Sequence, residues 1–266
     1  MYYGKIISTE AKEKILELFH NGETIKDISK LVNLGTHCVK KCVFEEYSLK
    51  SITDIKQQLN KDNVNEHQIQ CIYGSLLGDS SLSKKLSTNN FLSYSFATSH
   101  CDVQKEYLIH KAEILNTNPH SYTKNDNSWS PGSIYWKTTY HNKLFLQDVY
   151  ETCFINDRKT VSQKWVDIID WEGIAYWFMD DGCSHAYKNA QTIQVNFSTL
   201  SFIKPEIDLL INKFCKLGIS SHTVKSQHGN GIVLTIDSGD VNNFMSKIEP
   251  FMVSCMDYKI KKDNRK

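Results

Sequence analysis

The chain of 266 residues carries 31 Lys and Arg against 30 Asp and Glu, a formal net charge of +1, with 40% hydrophobic and 11% aromatic residues. That content builds a globular core in one large domain or two smaller ones. No apolar run reaches the length of a membrane span, the start MYYGKIISTEAKEK lacks a signal-peptide pattern, and eight scattered cysteines without a CxxC signal neither a disulfide framework nor a zinc ribbon. A soluble, intracellular protein with reduced thiols is expected, in the cytoplasm of a bacterial or phage-infected host or in an organelle matrix. The near-neutral charge neither advertises nor excludes nucleic acid, which would need a segregated basic face. Nearly every cation is Lys, with Arg only at 158 and 265, a usage that suggests an AT-rich genome.

The first organised block, residues 1–47, reads as three short helices. Ile15, Leu16, Leu18 and Phe19 form a helical stripe that stops at Asn21-Gly22. Thr24 and Asp27 have capping-box spacing, with Ile25, Ile28, Leu31 and Val32 facing inward. Asn33-Leu34-Gly35 breaks the pattern, and a third helix starts near Thr36, burying Val39, Cys42 and Val43 or Phe44. IKDISKLVNLGTHCVKKCV thus resembles a helix-turn-helix whose Thr36, His37, Lys40 and Lys41 project toward a DNA major groove. A generic three-helix packing unit is the alternative. Residues 48–65 turn polar, with no clear periodicity beyond one possible short helix, and read as a linker.

Beyond it, two segments read as the same object. Ile72 to Ser80 (IYGSLLGDS) and Ile174 to Gly182 (IAYWFMDDG) are apolar helices with small residues inside them, each ending in an aspartate, Asp79 and Asp181. Asn65 and Gln68 can cap the first. Two such helices packed side by side bring both carboxylates to one place, which is the chemistry of a divalent metal.

The elements that follow repeat, giving halves 66–170 and 171–266. Leu92 to Ser99 and Gln194 to Thr199 alternate as half-buried strands. Helices follow at Val103 to Leu115 and Pro205 to Leu217. Strand pairs come next, at His120 to Lys124 with Ile134 to Tyr140 and at His222 to Gln227 with Ile232 to Asp237. Last helices lie near Lys143 to Cys153 and Val241 to Phe251. Lys159 stands 80 residues after Asp79 and Lys259 stands 78 after Asp181, each just past the last helix of its half. The fold class is α+β, a pseudo-twofold tandem repeat behind a small all-α domain.

These residues carry a family resemblance. GSLLGDSSL and AYWFMDDG are similar to the two signature helices of single-chain LAGLIDADG homing endonucleases, in the branch whose second motif ends in WFMDDG or WYMDDG. The resemblance covers about residues 66 to 260. Ser80 departs from the final Gly of the first motif, and Tyr176 and Asp180 from small residues of the second.

The resemblance implies that Asp79 and Asp181 each deliver a carboxylate to a scissile phosphate, with Mg²⁺ or Mn²⁺ held by these groups and the backbone carbonyls of Gly78 and Asp180. Lys159 and Lys259 match the basic residues that polarise the attacking water or stabilise the phosphorane. It also implies two antiparallel sheets forming a saddle on double-stranded DNA, read by the polar face of the strands. That face nominates Ser93, Ser95, Tyr135, Lys137, Thr139, Gln194, Asn196, Ser198, Thr223, Lys225 and Gln227, with phosphate contacts from the basic tail, Lys259 to Lys266. The expected activity is a metal-dependent double-strand break in a long asymmetric site by a monomeric enzyme of a mobile, intron-encoded element. The alternatives are a group I intron maturase, which binds structured RNA on the same fold, and an inactive DNA-binding regulator, against which the retained Asp79 and Asp181 argue. A protein-splicing origin is disfavoured by the Met start and the Asn264-Arg265-Lys266 end.

Overall fold

A computed structural model describes residues 7–49, 51–86, 92–125, 130–186, 193–226 and 231–260. The chain divides into two compact units, Met1–Asn63 and Val64–Lys266. Among the described residues no helix is long and apolar enough to cross a membrane.

Among the described residues the first unit is built of helices alone. Helix α1 (Thr9–His20) is capped by Ser8 and α2 (Ile25–Leu31) by Thr24, whose hydroxyl oxygen accepts from the Asp27 amide. A turn with Asn33 in the left-handed region (φ 49°) leads into α3 (Thr36–Tyr47). Ile15, Phe19, Ile28, Val39, Cys42 and Val43 close the core as the periodicity predicts, whereas Leu31 is 64% exposed rather than inward. The expected linker is corrected: residues 52–62 form a fourth helix, α4 (Ile52–Asp62), capped by Ser51. It buries Ile55 and packs Ile52 and Leu59 on the same core. One apolar residue per turn holds it, a stripe too thin to stand out among Lys, Gln and Asn.

The second unit opens with α5 (Glu66–Leu77), started by the capping box of Asn65 and Gln68. Then come β1 (Ser81–Leu86), β2 (Leu92–Cys101), α6 (Lys105–Ile114), β3 (His120–Thr123), β4 (Ile134–Tyr140) and α7 (Lys143–Cys153). A short hairpin, β5 (Phe154–Ile155) with β6 (Arg158–Lys159), and α8 (Gln163–Ile168) lead into the second half. There α9 (Trp171–Asp181), β7 (Gly182–Ala186), β8 (Ile193–Ser198), α10 (Lys204–Lys216), β9 (Ser221–Lys225), β10 (Ile232–Ile236) and α11 (Val241–Ile248) repeat the order. A 3-10 turn at Ser254–Lys259 ends the described chain.

Both sheets are antiparallel, ordered β1-β2-β4-β3 and β7-β8-β10-β9, so the duplication expected from sequence is present strand for strand. The sequence pattern misses β1 and β7, the first strand of each half. In β1 only Leu82 is buried, so its alternation is a single residue deep.

Helices α5 and α9 form the seam between the halves. A Cβ on Gly74 would lie 2.1 Å from the Gly173 carbonyl oxygen, and one on Gly173 would lie 2.6 Å from Gln70 Oε1. The two backbones therefore touch, and no larger residue fits at Gly74 without parting the helices. Around the seam, Trp177, Phe178, Phe197, Phe214 and Phe244 interlock in the second half, while the Trp165 indole donates to the Tyr73 carbonyl at 3.1 Å in the first.

Candidate active site

The two aspartates arrive together because the two helices end together. Asp79 follows the C-cap Gly78 of α5, and Asp181 is the last residue of α9. Glycine is required at both ends. A Cβ on Gly78 would meet the Asp180 Cβ at 2.4 Å, and one on Gly182 would meet the Phe178 carbonyl oxygen at 2.6 Å. Ser80, matching Gly182 in the first half, is 3% exposed, and its hydroxyl has no hydrogen-bond partner among the described residues.

Burial, then the negative charges of Asp79 and Asp180, push the Asp181 carboxyl up to about 7. The Asp79 carboxyl is raised too, by burial and then by Asp180, against the pull of Lys111, Lys259 and Lys159. Two carboxylates that resist ionising side by side, among the backbone carbonyls of helix C-termini, fit a divalent cation.

Each helix end also receives a lysine. Lys159 donates to the carbonyls of Leu76 (2.8 Å), Ser80 (3.4 Å) and Gly78 (3.5 Å). Lys259 donates to those of Met179 (2.5 Å), Asp180 (2.9 Å) and Phe178 (3.3 Å). Burial lowers both ammonium pKa values; the Asp181 charge chiefly opposes this at Lys159 and the Asp180 charge at Lys259. The matched sequence positions of the lysines thus become matched places in the fold, with a cation at the negative end of each helix dipole. The carbonyls of Gly78 and Asp180, implied as metal ligands, both accept from these ammonium groups here.

What the sequence reading missed is the Asp180 side chain. It is fully buried and reaches into the first half, where Lys111 Nζ donates to Oδ1 at 2.8 Å and Oδ2 at 3.1 Å, and Tyr107 Oη donates to Oδ1 at 2.9 Å. His100 Nε2 stands 3.2 Å from the same ammonium. Burial, reinforced by the Lys111 charge, pushes His100 down to about 3, so its ring is neutral. Asp79, His100 and Asp180 lie close enough to share a metal. Lys111 already occupies Asp180 and His100 as the cation there, and Asp79 is the exposed member of the three. The only sequence signal for this network is the asymmetry of the motifs, Gly78 against Asp180 at matched positions.

Strand register sorts the nominated DNA contacts. In the first sheet Tyr94, Phe96, Thr98 and His100 point into the core, which leaves Ser93 and Ser95 on the open face. Cys101 pairs with Tyr135, Ser99 with Lys137 and Ala97 with Thr139, so Tyr135, Lys137 and Thr139 share that face as expected. It also carries Ser81, Ser83, Lys85, Ser99, His120 and Tyr122, which pairing alone reveals. In the second sheet Gln194, Asn196 and Ser198 face a groove that begins at Asp181 and includes Cys183 and His185.

The expectation for Thr223 is overturned. It pairs with the buried Leu234 and so faces the core, while His222 and Val224, opposite Thr235 and Val233, take the open face. Lys225 is one residue out in the same way, pairing with Ile232, yet it borders the groove from the strand end. Gln227 and residues 261–266 of the basic tail lie outside the described residues. In the first unit Thr36, His37, Lys40 and Lys41 are all exposed on α3.

Comparison with known proteins gives one answer. The model of the LAGLIDADG DNA endonuclease family matches residues 69–244. Probable intron-encoded endonuclease 1 of Wickerhamomyces canadensis is 25% identical over 218 residues, covering 79% of this chain and 90% of its own. DNA endonuclease I-ChuI of Chlamydomonas applanata is 25% identical over 219 residues, covering 76% and 98%. The structure of the homing endonuclease I-WcaI bound to its DNA recognition sequence superposes with a TM-score of 0.66 at 21% identity, over 77% of this chain and 91% of that one.

Proposed function

The chain belongs to the LAGLIDADG DNA endonuclease family and is a site-specific DNA endonuclease, and from that premise we propose that Asp79 and Asp181 are its cleaving carboxylates in a Mg²⁺-dependent double-strand cut. The observation that supports this reading is that α5 and α9 end together, with Asp79 just after Gly78 and Asp181 closing α9, where burial and then the charges of Asp79 and Asp180 hold the Asp181 carboxyl up to about 7. A divalent cation bound by Asp79 and Asp181 supplies Lewis acidity and activation of water at the scissile phosphate. Mg²⁺ or Mn²⁺ suits a hard oxygen donor set. The chain's own residues do the rest. Lys159 and Lys259 hold an ammonium at each helix end, where each can take up charge developing on phosphate oxygens. The open sheet faces, with Ser93, Ser95, Tyr135, Lys137, Thr139, Gln194, Asn196 and Ser198, meet base edges. Because the two halves differ in sequence, the target is long and asymmetric and one chain suffices.

The protein incubated with DNA containing its own uninterrupted insertion locus is expected to cut both strands at one place in Mg²⁺ and to spare it in EDTA. Cutting that persists in EDTA would count against the metal.

We further propose that the first unit adds groove and phosphate contacts through Thr36, His37, Lys40 and Lys41. The support is their common exposure on α3 of a helix-turn-helix with a core of its own. Deleting residues 1–62 is expected to weaken affinity and shorten the footprint at one end, with the cleavage position unchanged. A footprint of full length on the truncated protein would make this unit a packing module only.

A further inference from the structure

The Asp180 network lies outside the cleavage chemistry assigned above, and four observations give it a role. It is buried throughout: the side chains of Asp180 and Lys111 are 0% exposed and that of His100 is 2% exposed. A charged pair taken that far from water is an expensive way to fill space, since apolar residues of similar volume pack there at no loss of stability. It crosses the seam, because Asp180 belongs to the second half while Lys111, Tyr107 and His100 belong to the first.

It is also one-sided. Gly78, the residue that precedes Asp79 as Asp180 precedes Asp181, is the glycine that leaves room for the Asp180 side chain. Lys213, which stands to Asp181 in sequence as Lys111 stands to Asp79, is only partly buried, and the charges beside it are Asp167 and Asp170 near the start of α9. Finally, the network is continuous with a grip along α9. From the same face of α6, Tyr107 and His110 stack on the Tyr176 ring, and the Tyr176 hydroxyl meets His110 Nε2 at 3.0 Å. Tyr176 and Asp180 are one turn apart, so α6 holds the last turn of α9 at two points.

We propose that Asp180 and Lys111 are positioning residues for cleavage: a cross-seam ion pair that fixes the ends of α5 and α9 against each other, so that its loss slows the cutting of both strands and leaves target binding intact. Both strands are affected because the pair lies beside both carboxylates, with Asp180 directly before Asp181 and within ligand-sharing reach of Asp79. The inference rests on Asp79 and Asp181 being the cleaving groups.

The decisive variant is Lys111→Met with Asp180→Leu, which removes both charges at similar volume and restores packing. Its expected melting temperature is near that of the unaltered protein and its DNA affinity in EDTA is within about threefold, while single-turnover cleavage of each end-labelled strand falls by about 100-fold, the scale of a misplacement near 1 Å. The shape-preserving Lys111→Gln with Asp180→Asn, which also leaves no buried charge unpaired, gives the same split between binding and cleavage and decides the matter if the first double variant is unstable. Cleavage within about threefold of the unaltered protein in a stable variant would make the pair purely structural, and a loss confined to one strand would also overturn the proposal. Full cleavage by Asp79→Asn and Asp181→Asn would instead remove the carboxylate assignment on which it rests, a separately readable result.

Discussion

Asp79→Asn and Asp181→Asn each lower double-strand cleavage by at least about 1,000-fold while target affinity stays within about tenfold. Asparagine keeps the shape of the side chain and one acceptor oxygen, so the helix ends and their packing around Gly78 and Gly182 are undisturbed. What disappears is one of the two negative charges proposed to hold the cation. On the proposed reading binding draws on the open sheet faces and the first unit, which neither substitution alters, and loss of a negative charge beside phosphate opposes any weakening. The measurement is single-turnover cleavage of each labelled strand next to an affinity measured in EDTA. Normal cleavage by either variant removes that residue from the site, and affinity lost in parallel with cleavage moves the effect to folding.

The second large effect is on stability, and its sign is the reverse of an ordinary active-site change. Asp181 titrates near 7 in the fold and near 3.8 when unfolded. A pKa raised on folding gives a contribution that is fully present below pH 3.8 and lost as pH rises through 7. Above that, ionised Asp181 costs the metal-free fold about 2–4 kcal/mol, a figure reduced for its partial exposure. Asp181→Asn therefore melts higher than the unaltered protein in EDTA at pH 8, with a gain that grows from near zero at pH 4 to a plateau above pH 7.

Mg²⁺ closes the gap by stabilising the unaltered protein and not the variant. His100 contributes the opposite slope, since its pKa is lowered to about 3 from 6.5 and its contribution is lost as pH falls below 6.5. Comparing variant with parent cancels it. Equal melting temperatures at pH 8 in EDTA would mean that neither burial nor the charges of Asp79 and Asp180 penalise an ionised Asp181 in the fold.

Much of this architecture was legible because it is written in local patterns. The bounds of β4 and α7, the capping box of Asn65 and Gln68, and the paired motif helices all follow from periodicity and cap chemistry within a dozen residues. The two catalytic candidates and the two lysines were legible for a different reason: the duplication makes each a check on the other.

What escaped has physical causes. Helix α4 and strand β1 bury so few residues that their stripes drown in polar neighbours. Strand β9 reads Ser-His-Thr-Val-Lys, in which neither alternate set is clearly apolar, so its face is set only by pairing with Leu234, and Thr223 was placed on the wrong side. The Asp180 contacts join residues 69 to 80 positions apart in sequence and depend on a glycine opposite, information that no single segment contains.

That glycine bears on how such a chain could have arisen. At an exact twofold axis every residue meets its own copy. Two copies of the second half would bring two Asp180 side chains into the space that Gly78 now clears for one, as like charges buried against each other. Two copies of the first half would leave Lys111 as a buried ammonium with no carboxylate to receive it. Neither half can therefore make a competent homodimer with this seam. The ion pair belongs to the fused state, available once duplicated halves share one chain and are free to diverge, and it commits the halves to each other from then on.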